Sequence, residues 1–405
     1  MNSTSIPPRT TITLDVVDGD ITIGHGTTVK GTGTPAIVTV HGDVLCEGNN
    51  TFESDLKARN LEAEDDVTVQ GNLEIEQDIE VEDGRLEVHG NLTARDADID
   101  ESLYVEKDLS VIEIEVGGKL EVQGNCKADG IDVGGTFEGK GKVEARDIDV
   151  GGSLTIQSES NIKNLEVGGS ATVQGGRILN VDVGGTFESK DSLEFETIDV
   201  GGTVELTGQN RGEEIDVGGI CRVRGDLQFD SIDVGGKIEI TGSAEGIDLE
   251  IGGKIQVGQS LKLKGNLEVG GRIEVGGETL ARNIEVGGVL SSKKVTVEDR
   301  VEVGGAINTT EGVSARVIEV GRRSEVHGSL KADEIIIGRD ARVENIYGNR
   351  IMLRTGAEAE NVYGESVTVE SDCRIHGELQ YTEQARIGEH VNIAKPPQKV
   401  SKLPF

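Results

Sequence analysis

Ile131-Asp132-Val133-Gly134-Gly135, Ile148-Asp149-Val150-Gly151-Gly152 and Leu165-Glu166-Val167-Gly168-Gly169 repeat one phrase, apolar-acidic-apolar-Gly-Gly, and its spacing decides the fold. Marked by its second apolar residue, the phrase returns at 116, 133, 150, 167, 183, 200, 217, 234, 251, 269, 286, 303 and 320, a step of 17 residues with one 16 and one 18. Helical-hairpin, leucine-rich and propeller repeats all need longer units. A unit this short fits one coil of a β-solenoid.

The interior of the unit gives the shape of the coil. From Val116, apolar or small residues fall at Leu120 and Val122, at Cys126 and Ala128, and at Ile131 and Val133. A spacing of two puts both members of a pair on one face of a strand. The coil is therefore three short strands joined by three corners, a slightly irregular triangle. The Gly-Gly pair marks the first corner, and a second glycine recurs at Gly124, Gly141, Gly175, Gly208, Gly225, Gly242 and Gly328. Positive φ at these sharp corners is the expected reason for glycine. The third corner is polar, as at Arg146-Asp147 and Glu213-Glu214. The fold class is all-β, a single-stranded parallel β-helix of about 22 coils of roughly 17 residues.

The rest of the chain fits this frame. Aromatic residues make up 2% and tryptophan is absent, which suits a thin core of Val, Ile, Leu and Ala better than a wide globular one. The inward side chains of one coil cannot offset the cost of ordering its backbone, so stability must come from stacking. Residues 1–10 read as a disordered leader. A solenoid follows over 11–394, with irregular coils at 11–112, regular Val-Gly-Gly repeats at 113–322 and C-terminal coils at 323–394. Gly31 to Pro35 read as a loop inserted into an early coil. The phase is recoverable at Val44 and Cys46, Leu61 and Ala63, Ile79 and Val81, and again from Ile335 and Ile337 to Ala385 and Ile387. Residues 395–405, with Pro396-Pro397 and Pro404, are expected to leave the ladder as a tail.

Charge narrows the function. A formal net charge of -34 argues against nucleic acid and anionic lipid as partners, since both need basic surface. No apolar run approaches the length of a membrane span. Met1 to Thr10 carries no signal-peptide core. A cytoplasmic location is expected, with any membrane association running through a partner. Cys46, Cys126, Cys221 and Cys373 all fall on inward positions of distant coils, so they read as small buried hydrophobes rather than as disulfide, redox or metal residues.

The middle residue of the first strand is acidic in 16 consecutive coils, from Glu62, Glu80, Asp98 and Glu115 through Asp132, Asp149, Glu166, Asp182, Asp199, Asp216 and Asp233 to Glu250, Glu268, Glu285, Glu302 and Glu319. Alternation turns these side chains outward into one column. Neighbours about 4.8 Å apart repel by roughly 0.9 kcal/mol in bulk water before screening. The column is a solvated face that opposes aggregation or, more sharply, a stripe for cations or a basic partner, centred on Asp132, Asp149, Glu166, Asp182, Asp199, Asp216 and Asp233.

Four histidines, His41, His89, His327 and His376, precede a corner glycine. They invite comparison with hexapeptide-repeat acyltransferases, but those keep a strict six-residue rhythm and this coil is six, six and five. No nucleophile elbow, phosphate loop before a helix or clustered metal spacing is present. No catalytic residue and no cofactor is expected.

Val88-His89-Gly90-Asn91-Leu92-Thr93-Ala94, Val326-His327-Gly328-Ser329-Leu330-Lys331-Ala332, the coil length and the paucity of aromatics resemble the bactofilins, the polymer-forming cytoskeletal proteins. Lys395-Pro396-Pro397 is similar to the tail of archaeal, halofilin-like relatives. The resemblance implies a right-handed helix, nucleotide-independent assembly end to end into nonpolar filaments, and a role in cell shape or scaffolding. It departs from that family in its larger number of coils and in showing no short apolar membrane-targeting segment before Ile12.

Solenoid ends expose unpaired backbone groups that need a cap or another end. Self-association through Ile21 and Ile23 at one end and Val391 and Ile393 at the other is therefore expected. The rivals are an adhesion solenoid binding through its lateral faces, and a β-helix acyltransferase or polysaccharide-active enzyme.

Overall fold

The computed structural model describes residues 3–404; Met1 and Asn2 of the expected leader and Phe405 of the expected tail lie outside the described residues. Among the described residues every regular element is a β-strand. None forms a helix long and apolar enough to cross a membrane. The chain forms a β-solenoid of about 23 turns of roughly 17 residues. It divides into two compact units, Met1–Gly201 and Gly202–Phe405.

In the first unit each strand pairs in parallel with its counterpart one turn away. Ile114 stacks on Ile131, Ile131 on Ile148 and Ile148 on Leu165. The period of two holds throughout: Ile131 and Val133 are buried and Asp132 between them is exposed. The second strands stack Leu103, Leu120, Phe137 and Leu154, all at most 1% exposed. Bulk is traded within a turn, for Phe137 is followed by Gly139 and Phe187 by Ser189, each facing inward. The polar third corner is shallow enough that Val143–Val150, Ser160–Val167 and Gly176–Val183 run through it as single strands. The loop expected at Gly31 to Pro35 is present; it lengthens its turn so that Val17 pairs with Val40.

The second unit repeats this plan. Ile215, Ile232 and Leu249 form one inward column. Phe229 fills the space left by Gly246 on the next turn, where a Cβ would lie 2.3 Å from its ring. Arg272–Val286 and Val289–Val303 each pass through two corners as one 15-residue strand, with register shifts at Val275/Glu278 and Ala281/Asn283 absorbing the bends.

The structure corrects the expected reason for the Gly-Gly corner. Gly134 has no positive φ; a Cβ there would lie 2.4 Å from the Gly117 carbonyl oxygen of the preceding turn. Close approach of stacked backbones excludes a side chain, and handedness of the backbone does not enter. The second corner is mixed, since Gly175 does take a positive φ of 137° whereas Gly124 and Gly141 do not.

From Val320 onward the Gly-Gly corner gives way to a four-residue turn. It reads Gly321-Arg322-Arg323-Ser324, Gly338-Arg339-Asp340-Ala341, Arg354-Thr355-Gly356-Ala357 and Glu370-Ser371-Asp372-Cys373. The third residue is left-handed each time, with φ of 60°, 57°, 75° and 61°. The fourth is buried. Asp and Gly suit that conformation; Arg323 is held in it by the turn around it.

Two expected boundaries move. Ser3–Ile6, assigned to a disordered leader, forms a strand paired in parallel with Asp20–Ile23. At the other end Gln398 and Lys399 pair with Gln380 and Tyr381, although Pro396-Pro397 was expected to stop the ladder. Pro397 stands just before the strand, where a missing N–H breaks no ladder bond. These segments extend the solenoid past both expected limits.

Two outcomes follow from this packing. Gly134→Ala and Gly151→Ala should each lower unfolding stability by about 1 to 3 kcal/mol through overpacking, read by chemical denaturation. Burial pushes the thiols of Cys46, Cys126 and Cys221 up to about 12. A thiol reagent at neutral pH should therefore leave these three unlabelled in the native protein and label them only on unfolding.

Candidate functional site

The outward positions of the first strand build the most distinctive surface. In the first unit Glu62, Glu80, Asp98, Glu115, Asp132, Asp149, Glu166, Asp182 and Asp199 occupy one register column, each paired with the next across consecutive turns. All nine are exposed. In the second unit Asp216, Asp233, Glu250, Glu268, Glu285, Glu302 and Glu319 form a corresponding column. Of the seven central stripe residues, Asp132, Asp149, Glu166, Asp182 and Asp199 lie in the column of the first unit, and Asp216 and Asp233 in that of the second.

Among the described residues none of the nine carboxylates in the first unit forms an ion pair, although ion pairs are frequent elsewhere. On the second-strand face Lys119 meets Glu121 at 2.6 Å and Lys140 meets it at 3.8 Å. Arg222 bridges Glu205 and Glu239, and Lys254 meets Glu274 at 2.7 Å. The bare ladder is a property of one face.

Beside it runs a polar column that the sequence reading missed. Asn60 donates to Asp43 at 2.8 Å, Asn164 to Asp147 at 2.5 Å, Asn180 to Asn164 at 2.7 Å and Thr197 to Asn180 at 3.0 Å. The signal was Asn three residues before the mark in successive repeats. Asp147 is held below the usual carboxylate range by that Asn164 bond first and by Arg146 next. The ladder is broken at Gly130, where the carboxylate of Glu113 lies over the position a Cβ would fill. Between the two columns, from Asp78 to Glu166, lies a shallow groove of about 920 Å³. Among the described residues no three His, Cys, Asp or Glu side chains converge in a way that could hold a metal ion.

The acidic column of the second unit stops at Glu319. Its next positions are Ile336, Met352 and Thr368, and Met352 is 37% exposed. The four histidines lie apart on the surface, each beside a carboxylate. His41 Nδ1 is 2.9 Å from Asp18, His89 Nδ1 is 2.7 Å from Glu106, His327 is 3.5 Å from Glu344 and His376 is 3.4 Å from Glu358.

The expected contact residues at the ends divide. Ile21 and Ile23 are 2% and 0% exposed, because Ser3–Ile6 covers them on one side and Asp43–Cys46 on the other. They lie one turn inside the stack and present no surface, a correction that follows directly from the extra N-terminal turn. Val391 and Ile393 are half-buried on the last turns, with Ile393 stacked on Ile375. The inward columns run out of cover at both limits of the described residues. Ile12 is half-exposed although its partner Val29 is fully buried. Ile387 is 44% exposed although its partner Val369 is 2% exposed.

Comparison of the chain with protein-family models, with curated proteins and with solved structures finds no match in any of the three.

Two measurements check this electrostatic description. The triple substitution Asp132→Asn, Asp149→Asn, Glu166→Gln should raise the melting temperature at low ionic strength and narrow the gap between melts in dilute and molar salt, since it removes unpaired like charges. On acidification the sign is opposite. Glu121, Glu239 and Glu274 are held below the usual carboxylate range, chiefly by hydrogen bonds from Lys119, Lys237 and Lys254 respectively. Their contribution is complete above the ordinary carboxylate pKa and is lost as pH falls through the lowered folded values. Melting temperature should therefore drop below about pH 4, and Lys254→Met should weaken that dependence.

Proposed function

We propose that this chain is a non-enzymatic structural scaffold that assembles end to end through its terminal turns. The observation that carries the reading is the interrupted burial at the two limits. Ile12 and Ile387 continue fully formed inward columns, yet Ile12 is only half-buried and Ile387 is exposed, whereas their partners Val29 and Val369 are buried. A further turn of backbone stacked on either would satisfy a strand edge and complete a column in one step. A second copy supplies such a turn with the same spacing and the same apolar positions.

The resemblance to bactofilins, polymer-forming proteins built from coils of this length, points the same way. So does the character of the surface. The grooves are shallow and follow repeated side chains along a face, whereas small-molecule sites are concave and gather a few convergent polar groups. The role that fits is positioning of partners or support of cell shape, with the protein itself as the principal partner. A basic or membrane-associated protein is a further candidate on this reading.

Negative-stain microscopy and sedimentation of the full chain test the proposal. The wild type should form linear multimers that lengthen with concentration. Ile387→Asp, at an exposed position on the last turns, should shorten them at unchanged melting temperature. Ile21→Asp, buried one turn in, should instead lower the melting temperature. Wild-type particles of single-chain mass at every concentration and salt would falsify the reading.

A further inference from the structure

The turns that replace Gly-Gly after Val320 carry a cluster of arginines. Arg322 and Arg339 hold the same position in consecutive turns, and Arg354 holds the preceding position in the turn after that. With Arg323 they are all exposed. Arg322, Arg339 and Arg354 line a groove of about 360 Å³ together with Ile336.

Among the described residues these four arginines form no ion pair, and their neighbours show how unusual that is. Arg300 meets Glu319 at 2.5 Å, Arg316 meets Asp299 at 3.0 Å, Arg350 meets Glu334 at 3.1 Å and Arg374 meets Glu358 at 3.2 Å. Glu319, which also lines the groove, is engaged by Arg300. Glu370 is held below the usual carboxylate range mainly by the backbone N–H and hydroxyl of Thr355, with Arg354 and Arg339 adding to the effect. In a chain of net charge -34, three successive turns thus present guanidinium groups that form no ion pair among the described residues.

We propose that this arginine corner is a lateral docking site for a second copy of the chain, and that it seats on the unpaired acidic ladder of the copy's first unit. Two features single out this occupant. The first is charge: among the described residues Arg322, Arg339 and Arg354 form no ion pair on one surface, and nine carboxylates form none on another. The second is pitch. Both surfaces are displayed by stacked turns of the same solenoid, so guanidinium and carboxylate groups repeat at the same interval, about 4.8 Å per turn. Matched ladders align several pairs at once, whereas a compact anion meets only one or two arginines. Ile336 and Met352, outward where the acidic column ends, supply an apolar floor beside the cations. Because the two surfaces differ, the contact is heterologous and propagates from copy to copy. It is separate from the end contacts proposed above and ties neighbouring strands side by side.

A charge-swap experiment tests it, using equilibrium sedimentation and microscopy in both the wild-type and Ile387→Asp backgrounds. Arg322→Glu, Arg339→Glu, Arg354→Glu should weaken lateral association at least about ten-fold and leave linear multimers single-stranded. Asp132→Lys, Asp149→Lys, Glu166→Lys should do the same. Equimolar mixing of the two variants should restore association, and wild-type association should weaken as salt is raised from low to moderate concentration. Circular dichroism melts establish that both variants are folded. Unchanged association in the arginine variant, or no recovery on mixing two folded variants, overturns the proposal. So does tighter binding of the corner to phosphatidylserine vesicles or polyphosphate than to the Ile387→Asp chain, since the occupant is then an anion of another kind. Loss of end contacts in the Ile387→Asp background with side-by-side pairs retained separates this contact from the end-to-end reading.

Discussion

Parallel backbone pairing between one turn and the next is the constraint on which everything else in this molecule depends. Each turn is too small to enclose its own apolar groups, so its stability exists only as contact with the turns beside it. That requirement fixes the register. Ile114, Ile131, Ile148 and Leu165 share a column because any slip would place an acidic residue inside. It also sets the corner chemistry, for stacked backbones approach so closely at Gly117, Gly134 and Gly151 that no side chain fits between them.

The same periodicity that builds the core writes the surface. A residue type repeated at one position of the sequence becomes a line of identical groups along a face, with consequences that depend on the type. Asparagines at 164 and 180 cooperate through hydrogen bonds. Carboxylates at 132, 149 and 166 repel one another, and among the described residues no lysine or arginine forms an ion pair with them. Where the repeat changes after Val320, the face changes with it, from acidic to apolar with arginines at the corner. A molecule of this kind displays rows of side chains rather than pockets. The scaffold reading and the docking of arginine rows on acidic rows both rest on that property.

Much of this was legible in the sequence because a solenoid turns local pattern directly into tertiary position. The spacing of Ile131 and Val133 against Ile148 and Val150 named the stacked partners, and the inward placement of Cys46, Cys126, Cys221 and Cys373 followed from phase alone. The outward ladder was legible for the same reason. The signal failed where the pattern weakened. Ser3–Ile6 lacks the Gly-Gly phrase and is followed by Pro7-Pro8, so it read as disordered, yet it pairs with Asp20–Ile23 and buries Ile21 and Ile23. Gln398 and Lys399 were masked by prolines in the same way.

The sequence by itself determined the period, the three strands of each turn, the identity of the inward residues and the face that carries the carboxylates, because each depends on spacing within about one repeat. Only the tertiary structure decided why the corner glycines are needed, which turns stand at the limits of the stack, and which charges have partners. Those depend on distances between turns: the 2.4 Å between a would-be Cβ on Gly134 and the Gly117 oxygen, and the 2.5 Å by which Arg300 engages Glu319 while, among the described residues, Arg322 and Arg339 form no ion pair. Spacing along a chain states which residues meet, and the geometry of the meeting states what they do.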